Sequence, residues 1–337
     1  MSSSNTSLPE KTKSRQDITA LWVGILFSLG FILLIWYLGP RLEKIQLLPD
    51  QGASWYYWKL PNPSFWSRAT AWGFYLLHQF SFWGLIYFAQ TRVKKYATKL
   101  HLVNYAALGV NAFFILLRII QTQLWYDGLA QDVSIWSSQA SVAILLMWVL
   151  LMENKRRGMF FGKPAPIKEE IIRFARKYHG YFFAWATVYT FWYHPTIATS
   201  GHLVGFLYMF LLLLQGSLFF TRIHVNRWWT IFQEVIVLFH GALVAVMQGN
   251  NMWPMFAFGF GGIFVITQMH GLKLANWLRW SILGIYLALA LYVYSGRGLM
   301  NIHQITWIPL IDYLVVFLLA GILWLVLWIS GKITSKA

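Results

Sequence analysis

Ten long apolar runs limit what this chain can fold into more than any other feature of its sequence. Most of them are close to the roughly 20 residues that a helix needs to cross the hydrocarbon core of a bilayer. The fifth run is the shortest, and we expect its helix to extend upstream through 171–177. The pattern predicts an all-α polytopic membrane helix bundle with about ten transmembrane helices. The runs lie at 18–39, 69–90, 101–120, 133–152, 178–193, 202–221, 229–248, 252–270, 278–294 and 308–329.

The composition agrees with a lipid environment. Hydrophobic residues make up 58% of the 337 residues and charged residues 11%, whereas a soluble domain carries about 25% charged residues. The chain has no cysteine, which excludes disulfides, thiolate metal sites, iron–sulfur clusters and cysteine nucleophiles. The sequence also lacks the phosphate-binding loop, the zinc-protease helix motif and the serine-hydrolase elbow. No catalytic residue is identified by these patterns.

The distribution of Lys and Arg predicts the orientation of the chain. If the ten runs cross alternately, 21 of the 27 Lys and Arg residues lie on the side of the two termini and six on the other. The positive-inside rule then places both termini in the cytoplasm. This asymmetry explains the net charge of +16 without a nucleic-acid partner. The layout fits a bacterial inner membrane.

The apolar runs form one transmembrane domain, 18–330, between two cytoplasmic tails, 1–17 and 331–337. The polar N-terminal tail is expected to be disordered. Two loops are long enough to hold structure of their own. The outer loop 40–67 contains an aromatic group at 55–58 and is expected to cap the outer interface. The inner basic loop 153–177 is expected to include an interfacial amphipathic helix near 167–177.

Two histidines in the apolar runs are candidate ligands of one cofactor. His78 lies about nine residues from the outer end of the second run, and His240 about eight from the outer end of the seventh. At about 1.5 Å per residue, both lie roughly 12–14 Å below the outer interface. Equal depth is what two axial ligands of one haem b, or two ligands of one metal ion, require. Alternatively, each imidazole bonds separately to a neighbouring helix.

A second pair of histidines flanks the outer turn between the fifth and sixth runs. His194 and His202 are close enough in sequence to converge on a metal ion. Their spacing matches no established metal motif, so solvated interfacial histidines are the alternative.

Other polar residues lie within the apolar runs, where ionisable groups are costly and therefore mark function. Asn111 and Arg118 follow Asn104 at successive intervals of seven, a stripe expected to face the bundle. Arg118 is expected to pair with Asp312 in the tenth run, or to meet an anionic group.

The seventh run carries two polar residues besides His240. Gln233 is seven residues from His240 and shares its helix face, whereas Glu234 lies on another face. Glu234 is a candidate proton-relay residue or a partner of an inner Arg or Lys.

Three functions remain open on the sequence alone. A redox protein would hold haem or metal between the second and seventh helices. A transporter would carry a small organic solute past the polar face of the third helix. A structural or assembly subunit would bind a membrane partner, with its buried polar groups joining helices. The chemistry of any small-molecule ligand is not indicated.

Overall fold

The computed structural model describes residues 15–49, 51, 58–249 and 251–331. Within these ranges the chain forms helices and no strand, which confirms the all-α prediction. Ten α-helices are present in the described part: α1 (Gln16–Leu38), α2 (Phe65–Arg92), α3 (Leu102–Trp125), α4 (Ile135–Arg157), α5 (Glu169–Tyr193), α6 (Ser200–Ser217), α7 (Arg227–Met247), α8 (Trp253–Ile266), α9 (Asn276–Arg297) and α10 (Trp307–Ile329). The expected N-terminal tail and the aromatic group at 55–58 lie almost wholly outside the described residues, as does most of the C-terminal tail.

Seven of the described helices are long and apolar enough to cross a membrane, namely α1, α3, α4, α6, α7, α9 and α10. They indicate a multi-pass membrane protein. The apolar helix α8 has only 14 residues. Helices α2 and α5 are long but more polar, and α5 is buried along much of its length. The total of about ten crossings remains a prediction.

Local sequence signals explain where several helices begin. The side chains of Ser64, Ser134 and Thr199 each accept a backbone hydrogen bond at the start of α2, α4 and α6. The side chain of Asn226 accepts two at the start of α7. Such caps satisfy amide groups that have no partner within the helix. The upstream extension of α5 is confirmed, and the stretch 169–177 is continuous with α5 instead of forming a separate interfacial helix.

Contacts between loops define two ends of the bundle. At one end, backbone hydrogen bonds join the start of α1 to the 93–101 loop, and that loop to the 218–226 segment. At the same end of the bundle, the 158–168 loop forms a backbone hydrogen bond with the last residue of α8. Gly271 packs there against the last turn of α4. We call this the basic end, because it carries 92–99, 155–177 and the cations that follow α6 and α8. At the opposite end, the backbone of Leu60, in the connection between α1 and α2, exchanges two hydrogen bonds with the side chain of Gln131 in the turn before α4.

Helices α2, α3, α5 and α6 surround an aromatic core. A second core joins α4 to α10. Glycines in α8 let the start of α10 approach closely, since a Cβ on Gly259 would lie 2.8 Å from the side chain of Ile308. The 3-10 segment Leu299–Thr306 packs back along α8 and α9 to reach that point. Helix α10 therefore begins beside the middle of α8.

Candidate functional site

His78 lies in the aromatic core with none of its surface exposed. Its ring stacks on Phe114, with centroids 4.4 Å apart. The indole Nε1 of Trp192 donates to Nδ1 of His78 at 3.1 Å. An indole can only donate, so Nδ1 accepts and Nε2 carries the proton. Nε2 then donates to Oδ1 of Asn111 at 2.8 Å, and both ring nitrogens have protein partners.

Asn111 links His78 to a third helix. Its amide nitrogen donates to the hydroxyl of Ser217 at 2.7 Å and to the carbonyl of Leu213 at 3.3 Å. Asn104, one stripe position earlier, donates to the carbonyls of Ser217 and Phe219, each at 2.8 Å. The stripe on α3 thus faces the bundle, and both amides join α3 to α6 and the residues that follow it.

Arg118 is fully buried at the end of the same stripe. Its guanidinium donates to the carbonyl of Asp127 at 2.7 Å, and it also bonds the carbonyl of His194 and the side chain of Gln121. The expected pair with Asp312 is wrong. Asp312 forms no ion pair with any described residue, because α10 packs mainly against α4 and α8 and not against α3.

The structure places His240 beside the outer-turn histidines. The rings of His194 and His202 are 5.5 Å apart, and Nδ1 of His202 bonds the hydroxyl of Thr199 at 2.7 Å. A Cβ on Gly205 would lie 3.0 Å from Nε2 of His240, so His240 packs directly on α6. Burial, and then the imidazoles of His202 and His240, hold the pKa of His194 well below its ordinary value.

These positions bear on both sequence-derived ligand hypotheses. No group of three or more His, Asp or Glu side chains among the described residues is arranged to hold a metal ion. A metal site at His194 and His202 remains a prediction, with His240 as their neighbour. His78 contacts α3 and α5, whereas His240 contacts α6, so the two proposed haem ligands have different surroundings.

A cavity of about 650 Å³ opens at the basic end. Five helices bound it: α2, α4, α5, α6 and α7. Along α5 its wall runs from Arg176 to Thr187, which is about 16 Å at 1.5 Å per residue. Its volume lies within the range of about 300–1,000 Å³ that small-molecule sites occupy. Neither His78 nor His240 lines this basic-end cavity.

The inner part of the basic-end cavity is apolar. Its lining there includes Phe82, Leu145, Val149, Phe183 and Leu212. Toward the opposite end, beyond the last lining residues, the interior is filled by the core around His78.

The mouth of the basic-end cavity is cationic. Arg156 pairs with Glu153, but Arg176 and Lys177 form no ion pair with any described residue. Arg176 uses its Nε to bond the carbonyl of Met152 at 2.7 Å, which leaves its other nitrogens available. The mouth therefore presents uncompensated positive charge to a ligand.

One buried ion pair stands beside the basic-end cavity. Nη1 and Nη2 of Arg157 lie 2.9 and 2.8 Å from the two carboxylate oxygens of Glu234. Of the two roles predicted for Glu234, the structure shows the pair with an inner Arg. Gln233 also lines the cavity, and its amide donates to the carbonyl of Leu211 at 3.3 Å.

The sequence hypotheses missed the mouth cations because they concentrated on polar residues inside apolar runs. The available signal was the basic amphipathic stretch at 171–177, whose continuation as α5 turns Arg176 and Lys177 toward the cavity. No protein-family model, curated protein or solved structure matches this chain.

Proposed function

We propose that this chain is a membrane transporter for a small amphipathic organic anion, which it binds in the basic-end cavity. The observation that carries the proposal is a ligand-sized cavity with an apolar interior and a cationic mouth. Binding sites of this kind are mostly apolar, with a few polar groups that orient the ligand.

The charge of the mouth favours an anionic head group. Arg176 and Lys177 have no carboxylate partner, and Glu153 is already paired with Arg156. The other carboxylate in the lining, Glu234, is neutralised by Arg157. A cationic ligand would find no free carboxylate among the described lining residues, whereas an anion would meet two free cations.

Access from one end favours transport over a passive scaffold. The cavity opens at the basic end, and the layer of Phe191, Trp192 and His78 fills the bundle beyond it. A site near mid-membrane that is open to one side only is one of the two states that alternating access requires. A structural subunit has no need of such a cavity.

A haem b held by His78 and His240 is less well supported. Ligation by His78 would break its bond to Asn111 or to Trp192, and neither histidine lines the cavity between α2 and α7. The proposal includes ten crossings, cytoplasmic termini and a bacterial inner membrane, so that the basic end faces the cytoplasm.

Decanesulfonate is a suitable probe, because it stays charged and cannot cross a bilayer as a neutral acid. We expect it to stabilise the protein in lipid nanodiscs against heat, and decyltrimethylammonium and methanesulfonate to have no comparable effect. In proteoliposomes, labelled decanesulfonate should exchange faster with the protein present than without it. Binding without exchange would refute transport and leave a binding protein.

Two variants test the cavity itself. Replacing Arg176 and Lys177 together with Gln should weaken binding about tenfold, since each exposed cation contributes about 0.5–1 kcal/mol. Arg173→Gln is the matched control on the same helix, because Arg173 does not line the cavity.

Gly180→Leu should block binding by filling the cavity from α5. Gly180→Ala should leave it intact, since its Cβ would meet only Ile86, at an ordinary 3.5 Å. Full binding by the Leu variant, or equal binding of the cationic probe, would show that the ligand lies elsewhere.

A further inference from the structure

Two histidines lie close together in the wall of the basic-end cavity. His179 belongs to α5, and His224 lies in the short 3-10 segment Ile223–Val225 after α6. Their ring centroids are 6.4 Å apart, and both line the cavity. Neither takes part in the pairs described above.

The protonation pattern of the two rings follows from their hydrogen bonds. Nδ1 of His179 lies 2.6 Å from the carbonyl of Arg176, and Nδ1 of His224 lies 2.9 Å from the carbonyl of Gln215. A carbonyl only accepts, so each Nδ1 carries the proton and each Nε2 keeps its lone pair. Neither Nε2 bonds any other described residue, so two lone pairs are open to the cavity.

This arrangement is typical of metal-binding histidines. A ligating imidazole usually donates its other N–H to a carbonyl or carboxylate, which fixes the tautomer and the ring orientation. Here that support extends further for His224. The amide of Gln215 donates back to the carbonyl of His224 at 2.9 Å, and the indole of Trp229 donates to Gln215 at 2.6 Å.

The two rings are close to the separation that one shared ion requires. With Zn–N bonds of about 2.0–2.1 Å and an N–Zn–N angle of about 109°, two imidazoles on one tetrahedral zinc ion have ring centroids about 5 Å apart. The centroids of His179 and His224 are 6.4 Å apart, so a shift of about 1 Å brings both rings to one ion. We propose that His179 and His224 together bind one divalent transition-metal ion, such as Zn²⁺, in the wall of the basic-end cavity.

The remaining coordination positions are open. No third His, Asp or Glu of the described chain is placed to complete the site, so water or an external anion fills them. The cations Arg156 and Arg176 in the same lining oppose a bare ion and favour one that binds together with an anion. Zinc sites with open positions are the kind that bind or activate a small molecule.

The test uses the full chain, purified without a histidine tag, stripped with chelator and equilibrated with zinc alone. We expect one zinc per chain by elemental analysis, and a zinc-dependent rise in Tm. His179→Gln and His224→Gln should each weaken zinc binding at least tenfold. His303→Gln, at an exposed histidine of the opposite end, is the matched control.

His202→Gln separates this site from the outer histidine group and should leave zinc binding unchanged. Loss of zinc in this variant, with retention in the two cavity variants, would overturn the proposal. So would the absence of zinc binding by the unmodified chain. The Tm of each metal-free variant shows whether it is folded, because an intact variant keeps the parent value.

The site does not depend on the proposed transport function. Decanesulfonate binding is measured in the presence of chelator, so it can fail while zinc binds, or succeed while zinc does not.

Discussion

The buried pair Arg157–Glu234 allows a quantitative prediction. The side chain of Arg157 is 0% exposed and that of Glu234 is 7% exposed, with the nearest charged atoms 2.8 Å apart. At an effective dielectric constant of about 20, the attraction over such a distance is roughly 4–6 kcal/mol. The cost of removing both ions from water offsets much of it, so the pair as a whole contributes little net stability.

Removing one partner is different, because it leaves a desolvated charge without compensation. We predict that Glu234→Gln lowers the free energy of unfolding by about 3–5 kcal/mol. Replacing both residues, with Arg157→Met and Glu234→Leu, should restore most of that loss, since an apolar pair of similar size has no charge to desolvate.

Thermal unfolding in one detergent, followed by tryptophan fluorescence, measures the effect. The expected loss corresponds to an apparent Tm lower by about 4–7 °C, because a chain of 337 residues has an unfolding entropy of about 0.7 kcal/mol/K. The exposed pair Lys155–Glu169 supplies the control, because its side chains are 52% and 37% exposed. Lys155→Gln should cost no more than about 1 kcal/mol. Equal losses for Glu234→Gln and Lys155→Gln, or a double variant as unstable as the sum of its parts, would refute the reasoning.

Two further predictions concern packing and topology. Gly128→Ala should lower the free energy of unfolding by about 1–3 kcal/mol, because the new Cβ would lie 2.4 Å from the carbonyl oxygen of Tyr193. Gly109→Ala is the control, since nothing lies within 4 Å of its Cβ, and it should leave the Tm unchanged or raise it slightly. Because the chain has no cysteine, single cysteines can report orientation: we expect a membrane-impermeant thiol reagent to label Asn301→Cys in intact cells and Lys95→Cys only after permeabilisation, and the reverse pattern would show that the basic end faces outward.

The helices were predictable because the bilayer fixes their length and apolar character. The tenth run, 308–329, agrees with α10 to within a residue. The eighth run extended to 270, but α8 ends at Ile266, where Thr267 leaves helical geometry and the chain continues as a 3-10 segment. Apolar character does not distinguish these two kinds of turn, so hydropathy alone could not find that end.

The residue pairs were harder to predict, since sequence gives depth along a helix but not which helices are neighbours. His78 finds Asn111 and Trp192 because α2 packs against α3 and α5. Arg118 was expected to pair with a carboxylate. Its guanidinium instead donates to backbone carbonyls just after α3 and α5, those of Asp127 and His194.

The charge pattern was more informative than the pair predictions. An inner cation as partner of Glu234 was foreseen as one of two alternatives, because 155–177 is rich in Lys and Arg. The sequence could not show that this cation is Arg157, because that depends on how the last turn of α4 packs beside α7. The cavity itself could not be foreseen, since it arises from how five helices diverge.

The position of the short helix α8 has a consequence for the surrounding lipid. Its 14 residues span about 21 Å, against a hydrocarbon core of about 30 Å. In the neighbouring segment Leu299–Thr306, Met300 is 89% exposed. Helix α10 follows this segment and begins beside the middle of α8. Every residue of α8 is buried or half-buried, so the lipid in this region meets the longer neighbours α9 and α10 instead. Helices α9 and α10 have 22 and 23 residues, which span about 33–35 Å. The acyl chains on this flank therefore need not shorten to match α8.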